Sequence, residues 1–263
     1  INKPKLFGPS CHIFTDWIRD FVYNIGNTID AFAYHLYTGY GLASNLNNQI
    51  FMLFINPPFG NYINLKYTIP IKGSFTLKPR GHLFLQIIKT LRYSFSRKGW
   101  VNKIGSTNQG IDYAINHYYS ENKKNNNIIS VAILNKEEIP LLYKKIPNDC
   151  NIELNISCPN VENEKDKEHC DIYEKLNIFI NPNRKWCIIK LSPIEKIETI
   201  DTLYNIGFRQ FHCCNTLPIK EGGLSGLTLL KYNVPLLKQI KEKYPDTELI
   251  AGGGIRNIHT LQM

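Results

Sequence analysis

The sequence predicts an α/β protein of the (β/α)8 TIM-type barrel class, and three observations predict it. Short β-rich runs alternate with helix-like stretches along most of the chain, which is the rhythm of parallel βα units. The length of 263 residues suits a single barrel, since such domains commonly take about 250. Polar and glycine residues gather just past the ends of the apolar runs, where a parallel barrel carries its functional groups.

In chain order, Ile13, Phe14, Trp17, Ile18, Phe21, Val22, Ile25, Ile29 and Phe32 recur at helical spacing between polar residues. This predicts an amphipathic helix or helix pair, too interrupted to span a bilayer, which needs about 20 mostly apolar residues. Residues 1–50 are therefore expected to be an N-terminal helical extension that docks on the barrel, the alternatives being a membrane-surface helix or sequence outside the native fold. Residues 51–263 are expected to be the barrel. Its strands are predicted over 51–56, 68–76, 128–133, 151–156, 186–191, 210–214 and 248–251, and helix-like patterns fall over 137–145, 194–205 and 229–243. A closed barrel of this class has eight strands, and the chain stops at Met263, about where a helix after the seventh strand begins. The barrel thus reads as truncated before its eighth strand.

Composition narrows the function classes. A hydrophobic share of 43% with 20% charged residues is ordinary for a folded domain. The +9 net charge from 31 basic and 22 acidic residues suits an anionic ligand, but no stripe of arginine interleaved with aromatics marks a nucleic-acid surface. Seven cysteines at 11, 150, 158, 170, 187, 213 and 214 show no regular spacing, so neither a disulfide framework nor a zinc site is expected. The pairs His169-Cys170 and His212-Cys213 fall in no recognised ligand spacing. Free thiols and the lack of a signal-peptide pattern favour the cytoplasm.

The strand ends carry the chemistry. The fourth run closes on Asn155-Ile156-Ser157-Cys158-Pro159-Asn160, two amides and a thiol around a stiffening proline. Each amide donates and accepts, which suits the imide edge of a pyrimidine or flavin, and Cys158 is a candidate base or nucleophile. Lys190 closes the fifth run, where an ammonium can meet the electron-rich edge of a reduced isoalloxazine, and Asn215-Thr216 closes the sixth. Glycine loops at Gly222-Gly223-Leu224-Ser225-Gly226 and at Gly252-Gly253-Gly254 offer backbone N–H groups to an anion without Cβ obstruction.

In that order and spacing the chain resembles the dihydroorotate dehydrogenase family. The matching stretches are Glu153 to Asn160 (ELNISCPN), Ile189 to Pro193 (IKLSP), Asn215-Thr216, Gly222 to Gly226 (GGLSG), Ala251 to Ile255 (AGGGI) and, upstream, Gly99 to Gly110 (GWVNKIGSTNQG). The resemblance implies FMN, with Asn155 and Lys190 at the flavin and Gly222, Gly223, Gly252, Gly253 and Gly254 about its phosphate. It implies a small-molecule dihydropyrimidine held by Asn102, Asn155, Asn160, Asn215 and Thr216, beside the backbone of Ile104 and Gly105. Cys158 falls on the base of the cysteine-type enzymes, whereas quinone-using membrane relatives carry serine there. The family's lysine after the second strand is matched to Lys78, which would meet both flavin and substrate, although Leu77-Lys78-Pro79-Arg80 also fits a stretch just beyond it. The electron acceptor stays open between fumarate, NAD through a partner subunit, and quinone, and a homo-oligomer is compatible with the reading. The alternatives are a tRNA-dihydrouridine synthase, whose cysteine segment reads Gly-Cys-Pro, a dihydropyrimidine dehydrogenase-like enzyme, with His where Asn160 stands, and a catalytically dead barrel kept for binding.

Overall fold

The structure, a computed structural model, describes residues 36–40, 51–57, 59–62, 68–81, 88–125, 127–157, 172–213 and 215–254. Seven parallel strands form the curved main sheet: β2 (Phe51–Ile55), β3 (Thr68–Phe75), β6 (Ile128–Ala132), β7 (Ile152–Asn155), β8 (Cys187–Leu191), β9 (Gln210–Cys213) and β12 (Glu248–Ala251). All seven lie on the runs expected from the sequence. The remaining place in the ring is held by β1 (Leu36–Tyr40), which pairs antiparallel with β12 on one side and β2 on the other. This strand lies within the stretch expected to be a helical extension; the helix expected over 13–32 falls outside the described residues.

Strand alternation sorts the side chains into two layers. Ile129, Val131, Leu154, Ile189, Leu191, Phe211, Cys213 and Leu249 belong to the outer core, with Ala114, Ile139, Leu142, Ile200, Leu203, Leu236 and Ile240 of the helices. Those helices are α1 (Ile111–Asn125), α2 (Glu138–Lys145), α3 (Ile197–Asn205) and α4 (Leu230–Lys243). The opposite parity faces inward: Phe54, Ile71, Ile128, Trp186, Ile188 and Ile250 form a second buried cluster, and Phe54 meets Trp186 edge-on with ring centroids 5.4 Å apart. Inward positions of β7, β8 and β9 nearer their C-terminal ends are polar instead: Asn155, Lys190 and His212. Among the described residues no helix is long and apolar enough to cross a membrane.

A second, antiparallel sheet of β4 (Arg92–Ser94), β5 (Gly99–Asn102), β10 (Leu217–Ile219) and β11 (Gly222–Gly226) runs in the order β10-β11-β5-β4. The reading of Gly222 to Gly226 as a loop is corrected here: it is strand β11, pairing Gly223 with Asn102. Its glycines serve close strand approach, since a Cβ on Gly222 would come within 2.3 Å of the Asn102 carbonyl oxygen.

Candidate active site

The register of the parallel strands aligns Ala132, Asn155, Lys190, His212 and Ile250 in one inward layer, with Ser130, Glu153 and Ile188 in the layer beneath. Three of these strands therefore bring an amide, an ammonium and an imidazole together, all nearly or fully buried.

Glu153 is at their centre. Its carboxylate receives a hydrogen bond from Ser130 Oγ at 2.7 Å, faces Lys190 Nζ at 3.7 Å and is bonded by His212 Nδ1. Burial alone would raise the Glu153 pKa, but Lys190, His212 and the hydrogen bonds outweigh it and hold the carboxyl at about 2. Burial drives the His212 pKa below its ordinary value against the pull of Glu153. The neutral imidazole accordingly donates from Nδ1 to Glu153, and its Nε2 accepts from Asn56 Nδ2 at 3.1 Å. The cluster is thus one carboxylate matched by one ammonium, the arrangement that makes buried charge tolerable.

Hydrogen bonds continue from this cluster to the barrel mouth. Ser74 Oγ meets Ser130 Oγ at 2.8 Å, and Asn155 Nδ2 donates to Ser74 Oγ at 3.1 Å. Asn155 Oδ1 accepts from the Ser157 backbone N–H at 3.3 Å and from its hydroxyl at 2.8 Å. Asn215 Nδ2 donates to Ser157 Oγ at 2.8 Å, and Asn215 Oδ1 accepts from the Thr216 N–H at 3.0 Å. The small sheet brings Asn102 alongside, its Oδ1 3.5 Å from the Ile104 N, followed by Gly105 with φ of 70°. Asn108 ties that loop to the end of β3, donating to Thr76 Oγ1 at 2.9 Å and accepting from the Thr76 N–H at 3.1 Å and the Gly110 N–H at 2.7 Å.

The glycine elements divide. Gly222 and Gly223 lie against Asn102 and Thr216, where a Cβ on Gly223 would meet Thr216 Oγ1 at 2.3 Å. Gly226, at the far end of β11, is the residue that meets the Gly252 to Gly254 turn: a Cβ on Gly254 would reach the Gly226 carbonyl oxygen at 3.0 Å and Leu230 Cγ at 2.9 Å. Backbone without side chains from Gly226, Gly253 and Gly254 therefore meets at the start of α4, a setting that can hold a phosphate. With Lys190 and the Asn155 amide on the barrel axis, the donor set fits a ligand that joins a polar ring system to a phosphate.

Cys158 and Asn160 lie outside the described residues. Lys78 is exposed beyond β3. Lys72, on β3, is buried but pairs in register with the outward Ile129, and its ammonium is 5.3 Å from the centre of the Tyr118 ring. Lys190 is thus the lysine at the inward site. Sequence reasoning gives no role to Glu153, His212, Asn56, Ser74, Ser130 or Asn108. A signal exists for the first two, because each is polar at an inward position of an apolar strand; alternation also separates His212, inward, from Cys213, outward.

The profile of the family described as dihydroorotate dehydrogenase matches residues 89–259. The catalytic subunit of dihydroorotate dehydrogenase B (NAD(+)) from Malacoplasma penetrans is 28% identical over 193 residues, covering 64% of this chain and 63% of that protein. A Streptococcus agalactiae protein described as dihydroorotate dehydrogenase A (fumarate) is 30% identical over 198 residues, covering 63% of each. The Bacteroides fragilis catalytic subunit of the NAD(+) type is 26% identical over 216 residues, covering 72% of this chain and 68% of its own length. The chain spans about 63% of the length of the first two relatives.

Proposed function

The chain belongs to the dihydroorotate dehydrogenase family, and on that premise we propose that it oxidises dihydroorotate to orotate with FMN as cofactor and Cys158 as base. The observation that carries the reading is the inward layer of Asn155 and Lys190 on adjacent strands, joined to Asn215 at the barrel mouth. Gly226, Gly253 and Gly254 would hold the phosphate, and Lys190 and Asn155 the flavin edge. FMN, when bound, supplies the acceptor for a hydride.

The chain's own residues do the rest. Asn102, Asn155, Asn160, Asn215 and Thr216, with the backbone of Ile104 and Gly105, would fix the ring of the substrate by its carbonyl and imide groups. Gly222 and Gly223 let Asn102 and Thr216 approach each other. Cys158, following Ser157 directly in the sequence, would take the C5 proton onto its sulfur. A thiol is a better acid than a hydroxyl, so a thiolate base is reachable near neutral pH where a serine is not. The acceptor that reoxidises the flavin is a soluble one, of the fumarate or NAD-linked kind for which the relatives are named, rather than a quinone.

Rapid-mixing measurement of flavin bleaching by dihydroorotate tests the base. Cys158→Ala is expected to slow bleaching by about 10²- to 10⁴-fold with little loss of substrate affinity. Bleaching at the parent rate would remove Cys158 from the mechanism.

A further inference from the structure

The hydrogen-bond chain from Glu153 to Asn215 has a direction, and the buried carboxylate at one end agrees on it with the backbone N–H groups of Ser157 and Thr216. An ionised carboxylate only accepts, so Ser130 must spend its single hydroxyl proton on Glu153 Oε1. Ser130 can then only accept from Ser74, and Ser74, its proton spent, can only accept from Asn155. This fixes Nδ2 of Asn155 toward Ser74 and Oδ1 toward Ser157, where the backbone N–H supplies an independent donor. Ser157 gives its hydroxyl proton to Asn155 Oδ1 and so can only accept from Asn215 Nδ2. Every donor along the chain points toward the buried carboxylate.

We propose that Glu153, acting through Ser130 and Ser74, is a positioning residue that, together with the Ser157 N–H, holds Asn155 in one donor–acceptor polarity, so that Asn155 presents an N–H to an acceptor atom of the ligand. The inference rests on the reading of Asn155 and Asn215 as ring-binding residues. Both donors reaching Asn155 Oδ1 come from Ser157, while one of its two amide protons is engaged by Ser74 and the other remains for the ligand. A ligand carbonyl oxygen or deprotonated ring nitrogen satisfies that proton, and a ring N–H does not. Lys190 and His212 are the other titratable groups at the carboxylate among the described residues, and they keep it ionised by charge and hydrogen bonding.

The test is a double-mutant cycle on orotate binding to the FMN-loaded protein, read from the perturbation of the flavin absorption band. Ser130→Ala and Ser157→Ala sit at opposite ends of the chain and share no contact with each other, so coupling between them must pass through Ser74 and Asn155. Each single variant is expected to weaken orotate binding by about 10-fold, since a buried polar group is left with an uncertain partner. The double variant is expected to lie close to either single. Parental affinity in the singles, or a double variant as weak as the product of the two, would overturn the proposal. So would loss of FMN from a folded Ser130→Ala protein, which would make the chain a cofactor support. A parent protein that takes up neither FMN nor orotate would instead refute the proposed function.

Discussion

At the scale of single residues, the Glu153 carboxylate is buried beside the Lys190 ammonium. Removing the carboxylate in Glu153→Ala leaves the Lys190 charge without its partner, and a loss of about 3–5 kcal/mol in unfolding free energy is expected, measured by denaturant titration. The same cluster predicts the shape of acid unfolding. His212 has a folded pKa below its ordinary 6.5, so as pH falls through 6.5 the unfolded chain takes up a proton that the folded chain refuses, and stability drops. Glu153 adds to this below 4.5, its ordinary value, because the folded carboxyl stays ionised until about 2. Both effects have one sign: stability is full above 6.5 and is lost downward. Melting temperature followed from about pH 8 to about pH 4 should show His212→Asn losing less on acidification than the parent between 6.5 and 4.5. Identical profiles would mean that His212 is not held neutral. Sequence alone made Lys190 and Asn155 readable because they end apolar runs. Glu153 and His212 sit one layer deeper or inside a run, and only the register of neighbouring strands brings them to the same point.

At the scale of elements, the seven parallel strands and the three helices α2, α3 and α4 could be read from periodicity, since each buries one face in a continuous core. Helix α1 could have been, for Ile111, Ala114, Ile115, Tyr118 and Tyr119 follow helical spacing, but the polar run Glu121 to Asn125 that continues the same stretch of sequence dilutes the pattern. The small sheet could not. Its strands are three to five residues long, and β11 is mostly glycine, whose local preference is for turns. What makes β11 a strand is pairing with β5, a contact about 120 residues away in sequence that no local pattern encodes. The glycine turn after β12 makes a prediction of its own. Gly253 has φ of 78°, and a Cβ there would come within 2.6 Å of Leu229 Cδ1. Gly253→Ala is expected to cost about 1–2 kcal/mol from the left-handed backbone alone, and to weaken FMN binding further by pushing the turn off the start of α4. A variant with parental stability and FMN affinity would detach this turn from the phosphate.

At the scale of the whole molecule, the barrel interior holds an apolar cluster and, toward the C-terminal ends of β7, β8 and β9, the polar group of Asn155, Lys190 and His212 that forms the site. The ring contains β1, antiparallel, beside β12 and β2, an arrangement that local patterning does not anticipate, because a five-residue run with Gly39 and two tyrosines carries no directional signal. On the proposed function, this polar group binds a flavin that takes a hydride from a dihydropyrimidine. The most direct measurement is the visible absorption spectrum of the purified protein after incubation with FMN and removal of the excess, recorded before and after anaerobic addition of dihydroorotate. A retained flavin band is expected that bleaches on addition and recovers when a soluble oxidant is supplied. A protein that retains no FMN, or one whose flavin band persists in the presence of dihydroorotate, would contradict the proposed function.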